Sequence, residues 1–144
     1  MKNQNSKKSV LFICKNNSGR SQMAEGLFRH VYGVKYDVYS GGIDPKKVNP
    51  LTIVVMAEIG INISDQTSTN LIEYQEQEFD YIITLCDDKN CIFPLNGKNL
   101  IHYEFKDPIT YNKGTMEDIE VFRIIRDEIR EWIESSLSMK IIEK

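Results

Sequence analysis

The feature that most narrows the folds open to this chain is a join. The apolar run Val10-Leu-Phe-Ile13 passes through the polar stretch Cys14-Lys-Asn-Asn-Ser-Gly-Arg20 into a helical pattern in which Met23, Ala24, Leu27, Phe28 and Val31 share one face. A strand apolar at every position is covered on both sides, whereas apolar residues three and four apart mark a helix with one inward face. The rest of the chain repeats the alternation. Residues 36–40 read as a second strand ending in Gly41-Gly42, and Asn49-Pro50 supplies the N-cap and first-turn proline of a helix that stops at Gly60. Leu51, Val54, Val55 and Ile59 are the expected inner face of that helix. Residues 61–70 are turn-like and 71–78 a short acidic helix. Residues 80–86 form a third strand, 87–98 a loop punctuated by Pro94 and Gly97, and 99–105 a fourth strand. Thr115 with Asp118 has the form of a capping box, opening a last helix striped by Phe122, Ile125, Ile129 and Trp132 or Ile133. Gly33 is the expected stop of the first helix. The fold class is therefore α/β: a single open parallel sheet with right-handed crossovers and helices on both faces.

A chain of 144 residues, 41% of them hydrophobic, builds one sizeable core and no second. Residues 1–8 read as a disordered polar lead and 9–144 as a single domain. The net charge of −3 speaks against a nucleic-acid or anionic-membrane surface. With no signal peptide and no apolar stretch of membrane-spanning length, the expectation is a cytoplasmic monomer. Three cysteines, an odd number in such a chain, point to reactive or inert thiols rather than a disulfide framework.

The join also carries the chemistry. Across a short loop into a helix N-terminus, successive backbone N–H groups of Lys15, Asn16, Asn17, Ser18, Gly19 and Arg20 can turn inward around an anion. The guanidinium of Arg20 can take two oxyanion oxygens at once, and the same positive field favours the thiolate of Cys14 as a nucleophile. Ser21, one turn into the helix, is placed to donate a hydrogen bond to that sulfur. The plainer reading makes Cys14 a packed strand-end residue and Arg20 a solvated one, but a strand and a helix flank the motif as its chemistry requires. Ligands of open parallel sheets bind beyond the carboxyl ends of the strands. Cys86 ends the third strand, Asp107 lies just past the fourth, and Cys91 follows Cys86 in the same loop. A zinc site on Cys86 and Cys91 lacks further well-spaced ligands, because His30 falls in the first helix and His102 in the fourth strand.

The run from Cys14 to Gly26, with Arg20-Ser-Gln-Met-Ala-Glu-Gly26 after the loop, resembles the thioredoxin-coupled arsenate reductases, which share the fold of the low-molecular-weight tyrosine phosphatases. The resemblance extends from Val10 to about Leu137. It implies the strand order 2-1-3-4, which makes strands one and three neighbours. It also implies a relay: Cys14 attacks arsenate with Asp107 as general acid, Cys86 resolves the adduct, and Cys91 takes over the disulfide for recycling by thioredoxin, with no bound cofactor. From the residues alone, the sulfurs are merely able to meet. Asp44-Pro45 also follows a strand, but the family places its acid after the fourth, so Asp44 is read as a turn residue. Potassium-binding members use residues matching Asn17, Glu25 and Ser40, whereas their acidic partner is Thr69 here, which argues against structural potassium. Relatives commonly carry a second loop cysteine where this chain has Gly19, and a glycine where it has Asn16, a residue that tolerates left-handed backbone.

Two other readings use the same loop. In a tyrosine phosphatase, water would resolve the Cys14 adduct; Ile109-Thr110 after the Asp-Pro pair lacks the usual aromatic grip, although Tyr111 is near, and a weak phosphatase activity is expected in either case. In a non-enzymatic oxyanion-binding or redox-sensing module the thiols would report oxidation. Such a sensor has no need of Asp107.

Overall fold

The structure, a computed structural model, describes residues 7–86, 94–108 and 118–141. Its centre is β1 (Lys8–Cys14), which pairs in parallel with β2 (Tyr36–Gly42) on one side and β3 (Glu78–Thr84) on the other; β3 then pairs with β4 (Asn96–His102). The order β2-β1-β3-β4 is the one expected. Val10, Leu11 and Phe12 are wholly buried, as a central strand covered on both faces requires.

The core falls into two clusters. Val10, Phe12, Val38, Tyr81 and Ile83 face α1 (Arg20–Tyr32), α2 (Pro50–Glu58) and α3 (Asp118–Trp132), meeting Phe28, Met56 and Phe122 among others. Phe28 stacks edge-on against Phe12 and Tyr36, with ring centroids 5.6 and 5.3 Å apart, geometry that adds to the area it buries. Leu11, Ile13, Phe79 and Ile82 point to the other face and pack against Leu71 of a 3-10 helix, Leu71–Tyr74. After α3 the chain continues through a π-helical turn, Ile133–Leu137, into α4 (Ser138–Ile141); Leu137 of the turn and Ile141 of α4 join the first cluster. No helix among the described residues is long and apolar enough to cross a membrane.

Several boundaries differ from the sequence expectation. The first strand begins at Lys8, inside the supposed lead, and Lys7 already bonds the Gly33 carbonyl oxygen at 3.0 Å. The acidic stretch yields one 3-10 turn, because β3 starts at Glu78 and stops two residues short of Cys86. β4 starts at Asn96, with Gly97 inside it, not in a loop. A Cβ on Gly97 would stand 2.5 Å from Ile82 Cδ1, so this glycine marks a close approach between strands and not a turn. In α2 the buried residues are Thr52, Val55 and Met56, whereas Val54 is exposed; Thr52 faces inward because its hydroxyl donates to the Ser18 carbonyl oxygen at 3.0 Å. Val31 is exposed where α1 runs past the sheet. Asn49 caps α2 as read, accepting from the Leu51 N–H at 2.9 Å. Thr115, the loop residues 87–93 with Cys91, and the 109–117 stretch with Ile109, Thr110 and Tyr111 lie outside the described residues.

Candidate functional site: an oxyanion loop at the end of the central strand

Cys14 is the last residue of β1 and pairs in register with Gly42, the last of β2. That glycine lets the following loop fold back across the strand end. A Cβ there would lie 2.8 Å from the Lys15 carbonyl oxygen and 2.9 Å from the Asn17 nitrogen. The backbone turns through Asn17, whose φ of 48° is left-handed. Left-handed tolerance is therefore needed one residue later than Asn16, the position singled out in the sequence; Asn16 instead donates its side-chain amide to the Asp44 carbonyl oxygen at 2.8 Å.

Four consecutive loop carbonyls point away from the strand end and are satisfied there. Lys15 O accepts from the Asp44 N–H, Asn16 O from the Lys46 N–H, Asn17 O from the Gln22 amide and Ser18 O from the Asn49 N–H, all between 2.9 and 3.0 Å. In a trans peptide the carbonyl of one residue and the N–H of the next point in opposite directions. The N–H groups of Asn16, Asn17, Ser18 and Gly19 are thus directed to the other side of the loop, next to the first turn of α1, the arrangement that an anion cradle requires.

The side chains around the cradle are buried polar groups tied to one another. Cys14 is a free thiol, 2% exposed, with Ser21 Oγ 2.8 Å from its sulfur. Asn17 donates its amide N–H groups to Ser21 Oγ at 2.7 Å and Ser40 Oγ at 2.9 Å, and its Oδ1 accepts from the Thr69 N–H at 2.9 Å. That backbone donor fixes which end of the amide faces the serines. Arg20, 3% exposed, donates to the Phe105 carbonyl oxygen at 3.0 Å, and its Nη2 lies 3.6 Å from Asp107 Oδ2. The loop and the end of β4 are thereby brought together through one guanidinium. Asp107 is mostly enclosed, whereas the Asp44 carboxylate is exposed and sits 3.9 Å from Lys46.

Cys86 packs in the same small cluster as Cys14 and Ile13, its sulfur 4.0 Å from the Ile13 carbonyl oxygen. The Leu85 N–H, one residue earlier, bonds that oxygen at 2.8 Å and carries the β1–β3 pairing to the edge of the loop. Cys86 is disulfide-bonded while Cys14 remains free. Residues matching a potassium site do gather, but each donor is committed. Ser40 Oγ donates to Glu25 Oε1 at 2.5 Å, Arg29 Nη2 holds Glu25 Oε2 at 2.5 Å, and Asn17 presents N–H groups rather than its oxygen. This set does not fit a bare cation. Among the described residues no cluster of three histidines, cysteines or carboxylates is placed for a metal; His30 is exposed on α1 and His102 bonds Thr84 Oγ1 at 2.6 Å.

Sequence reasoning did not find Gln22, whose amide bridges the Asn17 and Thr67 carbonyl oxygens, or Arg29, although the four-residue step from Glu25 to Arg29 is a recognisable helical ion-pair spacing.

Residues 9–142 match the family of low molecular weight phosphotyrosine protein phosphatases, and the chain belongs to that family. Within it, the similarity is to arsenate reductases. Arsenate reductase 2 of Staphylococcus epidermidis is 44% identical over 132 residues, covering 90% of this chain and 95% of the relative. A solved arsenate reductase in its phosphate-binding state superposes with a TM-score of 0.79 at 34% identity, over 93% of this chain and 98% of that one. The thioredoxin-dependent arsenate reductase of Corynebacterium glutamicum matches with a TM-score of 0.62 at 30% identity, over 94% of this chain and 65% of its own.

Proposed function

We propose that this protein reduces arsenate to arsenite by a three-thiol relay recycled by thioredoxin. The observation that carries the reading is the burial of Cys86 beside Cys14 at the foot of an anion cradle; a phosphatase whose adduct is resolved by water has no use for that second sulfur. The Cys14 thiolate attacks the arsenic of a bound arsenate, and Asp107 protonates the departing oxygen so that it leaves as water. Ser21 and the loop N–H groups hold sulfur and oxyanion in line. Cys86 attacks the Cys14 sulfur of the adduct. The sulfur–arsenic bonding pair stays on arsenic, which departs as arsenite, and a Cys14–Cys86 disulfide remains. Cys91 then attacks Cys86, releases Cys14 as a thiolate and moves the oxidation away from the cradle. A disulfide at Cys86 with Cys14 free, as in this structure, is the state that follows that last step. The thioredoxin partner is supported by the Corynebacterium neighbour, and the affinity of the loop for a tetrahedral oxyanion by the phosphate-binding state of the other.

A residual aryl phosphatase activity is consistent with the family and with a cradle that meets phosphate and arsenate in the same shape. The deciding experiment is arsenate-dependent NADPH oxidation with thioredoxin and thioredoxin reductase. Repeated turnover in the native protein, lost in both Cys86→Ser and Cys91→Ser, is the expected result. Hydrolysis of an aryl phosphate by all three proteins with no arsenate reduced would overturn the relay.

A further inference from the structure

The Cys14 sulfur is one end of a hydrogen-bond chain that crosses the buried base of the loop and surfaces at a cation. From Cys14 Sγ it runs through Ser21 Oγ, Asn17 Nδ2 and Ser40 Oγ to the Glu25 carboxylate, and from there to the guanidinium of Arg29. Proton bookkeeping gives the chain a direction. A carboxylate can only accept, so Ser40 spends its single hydrogen on Glu25 and must accept from Asn17. The remaining Asn17 N–H goes to Ser21 Oγ, and Ser21, already an acceptor there, has its own hydrogen for the sulfur.

Glu25 is 8% exposed, and a carboxylate so enclosed needs an opposite charge fixed beside it. Arg29 supplies it with little freedom to move: Nη2 also donates to the Val38 carbonyl oxygen at 2.8 Å and Nη1 to Gln66 Oε1 at 3.1 Å. We infer that Arg29 is a positioning residue that serves as a built-in cation for the loop, taking the place of a bound metal ion, and that through Glu25, Ser40 and Asn17 it sets Ser21 as the donor to the Cys14 sulfur. A cavity of about 450 Å³ lined by Glu25, Arg29, Ser40, Asp65, Thr69 and Tyr74 opens beside the guanidinium, so an ion from solution can reach Glu25 if the arginine is cut back.

The inference rests on Cys14 being the reactive thiol of the loop, and its test does not depend on arsenate being the substrate. The reduced full-length protein is treated with iodoacetamide, alkylation of Cys14 is followed by mass spectrometry, and affinity for inorganic phosphate is measured by calorimetry, each in tetramethylammonium and in potassium chloride. The native protein should behave alike in both salts. Arg29→Ala should lose about tenfold in both readouts in tetramethylammonium, the effect of one charge-assisted hydrogen bond, and recover in potassium or with added guanidinium ion. Arg29→Lys should stay near native, and Glu25→Gln should lose as much as Arg29→Ala without recovery by any cation. A native protein that itself depends on potassium, an Arg29→Ala variant with no loss, or a loss that neither lysine nor a soluble cation restores would each overturn the inference.

Discussion

At the scale of single residues, Arg20 and Asp107, to which the proposed relay gives anion capture and proton supply, lie side by side. The guanidinium is anchored by the Phe105 carbonyl two residues before the acid, a contact that involves no anion. Asp107→Asn should therefore leave inorganic phosphate affinity within a few-fold of native and lower the turnover of arsenate by about 10²-fold or more, the usual contribution of a positioned general acid; steady-state kinetics beside calorimetry separates the two. Cys14, Arg20 and Ser21 were legible in the sequence because their chemistry depends on spacing across a loop whose flanks announce themselves. The choice of Asp107 over Asp44 was not legible from residues, both being Asp-Pro pairs after a strand; it came from family resemblance, and in the structure Asp107 is enclosed beside Arg20 whereas Asp44 is exposed. Arg29 escaped because its partners Val38, Gln66 and Glu25 come from separate parts of the chain, and only the first-helix spacing to Glu25 is visible in one dimension.

At the scale of elements, the loop between β1 and α1 is held along its outer side. The carbonyls of Lys15 to Ser18 are bound by the segment after β2 and by α1, so the cradle keeps its shape through contacts that never touch an anion. Gly42 is the tightest of these supports, since any side chain would press on loop backbone, which cannot swing aside. Gly42→Ala should cost about 1–3 kcal/mol in stability, as overpacking does, while weakening phosphate binding by a larger factor than this global loss explains; denaturant melts and calorimetry on the same variant test the disproportion. The central strand and the first helix were readable because burial on both faces leaves an unbroken apolar run and burial on one face a periodic one. The edges of β3 and β4 were not, because strand ends are set by pairing register, and β4, largely exposed as an edge strand, carries no such signal.

At the scale of the whole molecule, α2 and α3 are clasped by charge where their apolar faces part. Glu58 accepts from Arg123 at 2.6 Å and from Arg126 at 2.8 Å, and Arg126 also holds the Val55 carbonyl oxygen at 2.9 Å. The Arg123 hydrogen bond is the main cause holding the Glu58 carboxyl below its ordinary value of 4.5. A carboxyl lowered on folding adds stability that is complete above the unfolded value and is lost as pH falls through the folded one. The melting temperature of the native protein should therefore exceed that of Glu58→Gln near neutral pH, and the gap should narrow as the pH is taken below 4.5 and through the lowered value. A gap that persists in acid would assign the difference to packing.

The parallel sheet has a consequence for handling the protein. Every strand enters from the rim that carries Lys8, Tyr36, Glu78 and Asn96, and Cys14 and Cys86 lie at the other rim. Six steps along the seven-residue strand separate Lys8 from Cys14, about 20 Å of rise. A copy coupled to an electrode through Lys7 would stand with its sulfur chemistry turned toward solution, where oxyanion and reductant arrive without passing the support.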